Sequence, residues 1–369
     1  MEDERGPKER NGFGLIRRWL LRHLGDPQVQ VLVLTIALVV LTIGYLGKIL
    51  APVFLSMILA YLLDSAVVPL QRRGLPRLPT VLIFYVLFLA LFLLVLLVLL
   101  PILSRQIGQI PGELPTMLGK VETALRDLVK RYDFAPEPQF EQWLMTLKGN
   151  LLAEIGDKTK GLGKQVLDTF RGAVVIVLYT ILIPILVFFM VKDKEAILAW
   201  FSRFVPEESS LTRRVWREVD QQIGNYIRGK VWEILIVGGT SFLVFRLFGL
   251  DYAPLLGLSV GLSVVIPYLG ATLVTFPVVL VAYSQWGAGA EFVKVVIAYL
   301  VIQALDGNLL VPLLFGEMNK LHPLAIIVAV IIFGGLWGVW GVFFAIPLAT
   351  FVQAVIQAWP RGVEARLSP

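Results

Sequence analysis

Residues 303–312 read QALDGNLLVP, with the apolar run VVIAYLVI before them and LLFGEMNKLHPLAIIVAVIIF after. Gln303, Asp306, Asn308 and Pro312 are therefore set inside a hydrophobic stretch. A carboxylate at bilayer depth costs roughly 2.5–3.5 kcal/mol, so it needs a partner, water or a travelling solute. Two readings stand side by side. Asp, Gly, Asn and Pro are ordinary turn residues at a membrane surface. The same residues inside the membrane would put an acid and an amide on a path. A second constellation is VIPYLGATLVTFP, residues 265–277. Pro267 removes a backbone donor and Gly270 weakens the helix further, so carbonyls are freed. Broken helices at membrane depth line cavities and present such carbonyls to substrates; a proline kink packed on a neighbour is the plainer alternative. Glycines form a third group. Gly257 and Gly261, and Gly334, Gly338 and Gly341 ahead of Pro347, carry the small-residue spacing that lets helices approach closely or slide. The match GLSVG at 257–261 to a serine-nucleophile pattern is weak, because His322 is the one histidine near a membrane segment and stands directly before Pro323.

The elements that must position these residues are membrane helices. Of 369 residues 57% are hydrophobic and 16% charged, against about 25% charged in soluble domains. Mean hydropathy is +0.77. The absence of cysteine excludes disulfides and thiolate chemistry, and two histidines argue against a histidine metal site. No cofactor or metal is expected. The net charge of +6 is read as a topology signal and not as nucleic-acid binding. The expectation is an all-α polytopic integral membrane protein, with amphipathic helices outside the membrane. About eight transmembrane helices are expected, with broken or re-entrant hairpins in the C-terminal third.

Residues 1–28 read as a cytoplasmic tail without a cleavable signal, and 29–103 as transmembrane helices one to three. Residues 104–171 form an extracytoplasmic helical insertion, with apolar positions 117, 118, 121, 125 and 128 on one face. Residues 172–192 are a fourth span. Residues 193–229 carry the stripe Leu211, Val215, Val219, Ile223 and Ile227, expected to lie on the cytoplasmic membrane surface or against a neighbouring helix. Residues 230–359 are the C-terminal transmembrane region, in which 252–290 and 321–360 contain no Asp, Glu, Lys or Arg. Each of these stretches reads as a two-span hairpin, a re-entrant hairpin or one broken helix. Glu233 and Arg246 are read as snorkelling from the ends of a span at 230–250. Basic clusters at 5–22, 72–77 and 192–230, with Arg361 and Arg366 in the tail at 360–369, set both termini in the cytoplasm.

IPYLGA (266–271), IQALDGNLLVPLLFG (302–316), LHPLAII (321–327) and GGLWGVWGVFFAIPLA (334–349) resemble the autoinducer-2 exporter family, the PerM-type permeases. Pro267, Tyr268 and Gly270 fit its first break, and Gln303, Asp306, Asn308 and Pro312 its polar element. Asp220, Ile223, Tyr226, Ile227, Gly229 and Lys230 fit a further motif. The resemblance implies a bacterial inner-membrane protein, a homo-oligomer of pentameric form, and an elevator-like movement of the last third. It implies export of a small hydrophilic solute or signalling molecule, with lipid as the other partner. Na⁺(Li⁺)/H⁺ antiport through Asp306, backed by Asp64 and Glu233, and a non-transporting membrane scaffold are the alternatives. No enzymatic constellation is evident.

Overall fold

The computed structural model describes residues 50–132, 165–203, 210–267, 269–316 and 321–358, with a few positions between 142 and 150. The N-terminal tail, the first expected span, most of the second half of the insertion, Tyr268 and the C-terminal tail lie outside the described residues. Among the described residues all regular structure is helical. Four helical stretches are long and apolar enough to cross a membrane: Ala51–Arg72, Arg77–Arg131, Leu269–Trp286 and Ala290–Phe315.

Helix α1 (Ala51–Arg72) starts with a proline in its first turn, where a missing N–H costs nothing. It packs against α2 (Arg77–Leu94) and α4 (Gln165–Lys192) through Ala60, Val67, Val81, Phe88, Ile183, Val187 and Val191. Ion pairs brace one end of this unit. Arg77 meets Glu195 and donates to the Val191 carbonyl, and Lys194 meets Asp64. From α2 the chain passes through a π-helical turn, Val95–Leu99, into α3 (Leu100–Tyr132). Span and insertion are thus one continuous rod rather than two units meeting at residue 104. Its polar half leans on the C-terminal region: Gln106 accepts from the Leu255 N–H, and Lys120 donates to the Ser284 carbonyl.

After the short α5 (Lys194–Ser202), α6 (Ser210–Leu247) is a single helix of 38 residues. The expected amphipathic stretch and the start of the expected span at 230–250 are thus carried on one helix. Ile227 and Tyr226 are buried against Ile58, Phe315, Phe343 and Ile346, so the end of the apolar stripe faces protein. The alternative of packing on a neighbouring helix is the one realised there.

The C-terminal third contains two helical hairpins. Helix α7 (Ala253–Ser263) runs back along α6. The two touch where side chains are missing: a Cβ on Gly257 would stand 2.6 Å from that of Phe242, and one on Gly261 2.8 Å from the Ile234 carbonyl. The chain reverses after Val264 and re-enters helix as α8 (Leu269–Trp286). The far end of α8 returns to the start of α7, because Gln285 accepts from the Asp251 N–H at 2.9 Å and donates to the Gly249 carbonyl at 2.9 Å. Gly270 seats the reversal; a Cβ there would lie 1.7 Å from the Ser263 carbonyl oxygen. At about 1.5 Å per residue, α7 is only about 16 Å long.

Helix α9 (Ala290–Leu305) continues through a π-helical turn, Asp306–Leu310, into α10 (Val311–Phe315). The second hairpin is α11 (Pro323–Trp337), a turn at Gly338, α12 (Val339–Phe343) and α13 (Ala345–Ala358). Gly338 has φ +60°, open to glycine at no steric cost, and a Cβ on Gly341 would meet the Phe333 carbonyl oxygen at 1.8 Å. The two hairpins meet: Ile266, from the first reversal, packs against Ala329, Val330 and Ala345 of the second.

Candidate functional site

The π-helical turn follows from Pro312. A proline has no N–H for the carbonyl four residues back, and its ring crowds that carbonyl, here that of Asn308. Widening the preceding turn relieves the crowding without ending the helix. QALDGNLLVP is therefore neither a surface turn nor a broken helix, but a distorted stretch within a continuous span of 26 residues. Within it the polar side chains diverge. Asp306 is buried, and its Oδ1 has no hydrogen-bond partner among the described residues. Gln303, one turn earlier, has an unpartnered buried Nε2. Asn308 is exposed, and its Nδ2 donates to its own helix at the Ala304 carbonyl, 2.8 Å away. Pro312 is exposed as well. Of the polar residues predicted to act together, Asp306 and Gln303 point into the protein and Asn308 does not.

Facing Asp306 is a pair read from the sequence as peripheral. Lys230 Nζ donates to Glu233 Oε2 at 2.7 Å and to the Val264 carbonyl at 2.7 Å. The ammonium also stands 5.3 Å from the centre of the Phe315 ring. Lys230, Glu233 and Asp306 are 5%, 2% and 9% exposed, which makes them a desolvated charge cluster. Asp306 is within electrostatic reach of both Lys230 and Glu233. Val264 caps the C-terminal end of α7, so its carbonyl is one of those the helix cannot satisfy itself. Pro267 and Gly270 belong to the same reversal and are occupied within it: the Pro267 carbonyl accepts from the Leu269 N–H at 2.7 Å, and the Gly270 N–H donates to the Ile266 carbonyl at 2.9 Å. One turn before Lys230, Tyr226 OH donates to the Phe343 carbonyl at 2.9 Å, between α12 and α13. A single turn of α6 thus holds backbone carbonyls from both hairpins.

Glu233 and Lys230 were legible as charges, read at the start of a span at 230–250. Had α6 begun near residue 230 they would sit at a helix end; because it begins at Ser210 they sit in its interior. The glycines lie at helix contacts and at a turn. Gly257 and Gly261 lie at the α6–α7 crossing, Gly334 and Gly341 at the α11–α12 contact, and Gly338 at the turn between them. Pro347 is buried in α13. The Ser259 hydroxyl donates to the Leu255 carbonyl of its own helix, and His322 Nδ1 accepts from the Leu324 N–H, so each is occupied locally. Among the described residues no three His, Asp or Glu side chains gather as a metal site.

A family model described as "AI-2E family transporter" matches residues 30–361. The chain is 43% identical over 348 residues to "Putative permease PerM" of Escherichia coli K12, covering 94% of this chain and 98% of that protein. It is 29% identical over 319 residues to "Putative transport protein YrrI" of Bacillus subtilis, covering 83% and 85% of the two chains. A second Bacillus subtilis protein, "Putative transport protein YueF", is 26% identical over 334 residues, covering 88% of each.

Proposed function

The chain belongs to the AI-2E transporter family, a family of multi-pass membrane permeases, and from that premise we propose that it exports a small hydrophilic solute past the Lys230–Glu233–Asp306 cluster. The observation that carries this reading is the cluster itself: buried charge set against a freed carbonyl where two hairpins meet. Charges at such depth are expensive and are kept where something passes. Autoinducer-2, the molecule in the family's name, is the first solute to test.

In this reading both hairpins are re-entrant. The first enters from outside at Asp251 and leaves on the same side at Gln285. Two features support it: the Gln285 hydrogen bonds that close its base, and α7, which is shorter than the ~20 residues a crossing needs. The second enters from the cytoplasm. The crossings then number about six instead of eight, which keeps both termini in the cytoplasm of a bacterial inner-membrane protein. Movement of the hairpin region against the α1–α2–α4 unit would be the elevator-like step, and the broad apolar outer face of α2 would meet lipid or further copies in a homo-oligomer.

The test is efflux of autoinducer-2 from proteoliposomes containing wild-type protein, Asp306→Asn or Pro267→Ala. Efflux by wild type that drops at least about tenfold in Asp306→Asn supports the route, since roughly 1.4 kcal/mol at the barrier is a factor of ten. Wild-type liposomes no leakier than empty ones would remove autoinducer-2 as the solute. Equal efflux by all three would remove these residues from the route. One observation favours Na⁺(Li⁺)/H⁺ antiport as the second reading: the unpartnered Asp306 Oδ1, a free acceptor for a proton or ion. Dequenching of a pH-sensitive dye on adding Na⁺ or Li⁺, lost in Asp306→Asn, would select it.

A further inference from the structure

The groups around Lys230 Nζ suit a monovalent cation: a carboxylate oxygen at 2.7 Å and a backbone carbonyl at 2.7 Å, with an aromatic face that favours an ammonium 5.3 Å from its centre. The carbonyl belongs to the C-terminal cap of α7, the negative end of its helix dipole. Unwound carbonyls and half-helix C-termini are what membrane transporters use to hold Na⁺. A second carboxylate, Asp306, is nine-tenths buried beside them with an oxygen unpartnered. Two carboxyl groups thus stand around a single ammonium. We propose that the Lys230 ammonium is a tethered cation filling a monovalent-cation site, so that the wild-type protein needs no free ion there and removing the ammonium opens the site to Na⁺ or a small alkylammonium. The inference concerns the same cluster as the transport reading, but it is read from ion binding and not from flux, so either can fail while the other stands.

The vacated position is attractive to ions for a simple reason. Taking away one member of a buried pair leaves the other charged and unsolvated, which destabilises strongly. An ion that restores the pairing recovers stability in proportion to the logarithm of its concentration over its Kd. Truncation to alanine removes three carbons and the ammonium, the heavy atoms of n-propylammonium, which makes that ion a shape-matched probe. A methionine keeps the bulk beside Phe315 and leaves room only for a bare ion.

The experiment is thermal unfolding of purified full-length protein in detergent, with NaCl or n-propylammonium chloride replacing choline chloride at constant ionic strength. Wild-type Tm should stay unchanged in all three salts. Lys230→Ala should unfold several degrees lower in choline and rise saturably in Na⁺ and in n-propylammonium. Lys230→Met should rise in Na⁺ alone, and Lys230→Met/Glu233→Gln should lose that response. A wild-type Tm that climbs with Na⁺ as much as that of the variants overturns the proposal. So do folded single variants that ignore both ions, or single variants that cannot be purified even with the ions present, since a refilled site should support the fold.

Discussion

Gly270→Ala tests the reversal on which the site depends. The added Cβ would start 1.7 Å from the Ser263 carbonyl oxygen and 2.5 Å from its carbon. Cβ contacts closer than 3.0 Å are essentially never seen, so the start of α8 must retreat by more than about 1 Å from a partner that is itself backbone. Overpacking of this kind costs about 1–3 kcal/mol, sometimes more. Alanine returns at most about 1 kcal/mol through helix propensity, so the balance is a loss. Gly239→Ala is the control, because its Cβ would meet nothing within 4 Å on a helix interior. It should gain up to about 1 kcal/mol by propensity alone. The assay is unfolding of both variants in detergent, followed by tryptophan fluorescence, with autoinducer-2 efflux measured alongside. The Val264 carbonyl lies six residues before Gly270, so a displaced tip should also weaken its bond to Lys230 and lower efflux. If Gly270→Ala were as stable and active as Gly239→Ala, α7 and α8 would not meet at Ser263 and the hairpin geometry would be wrong.

Further outcomes follow from the same geometry. Because the chain has no cysteine, single cysteines report their side of the membrane cleanly; Asp251→Cys and Gln285→Cys should both react with an impermeant maleimide added outside, and labelling from opposite sides would exclude a re-entrant first hairpin. Tyr226→Phe removes the donor to the Phe343 carbonyl and should lower stability by about 1–3 kcal/mol, the cost of a buried acceptor left unpaired, as read by Tm. Glu195→Ala should change stability by less than about 0.5 kcal/mol, since the Glu195 side chain is 85% exposed in its ion pair. Arg77→Ala should cost more than Glu195→Ala in the same melt, because the Val191 carbonyl loses its donor as well.

Helix content, the membrane class and the places where the chain bends were legible in the sequence. Pro267, Gly270 and Gly338 mark the bends because proline and glycine act locally: one removes a donor, the other a side chain. Helix extent was not legible. The switch from polar to apolar character near residues 104 and 229 reports a change of solvent along a rod, yet α3 and α6 continue straight through it. That reading hid the site, since it set Lys230 and Glu233 at the start of a helix instead of in its buried interior. The direction of a side chain within a distorted turn was equally closed to sequence reasoning. Asp306 and Asn308 are two residues apart, and a helix carries such neighbours to different faces; only the packing of α6 against α9 and α10 decides which face is interior.

In the proposed re-entrant arrangement, a hairpin that stops partway along its neighbours would leave its last carbonyls without donors at a depth where lipid offers none. The protein supplies them from α6: Tyr226 for the second hairpin and Lys230 for the first, four residues apart on one helix face. A donor that fastens a hairpin in this way is also what must be released if the hairpin moves. The released carbonyl then requires another donor at the same depth, and a hydroxyl-bearing solute or a water molecule can provide it. Lys230 adds a constraint that Tyr226 does not. It is paired with Glu233, so an ammonium released from Val264 would be held near that acid, with the free oxygen of Asp306 as a further acceptor. In the proposed transport cycle, movement of the first hairpin would thereby be coupled to redistribution of charge between the two acids. Asp306→Asn should slow it by removing the destination, while leaving the ion pair at rest intact.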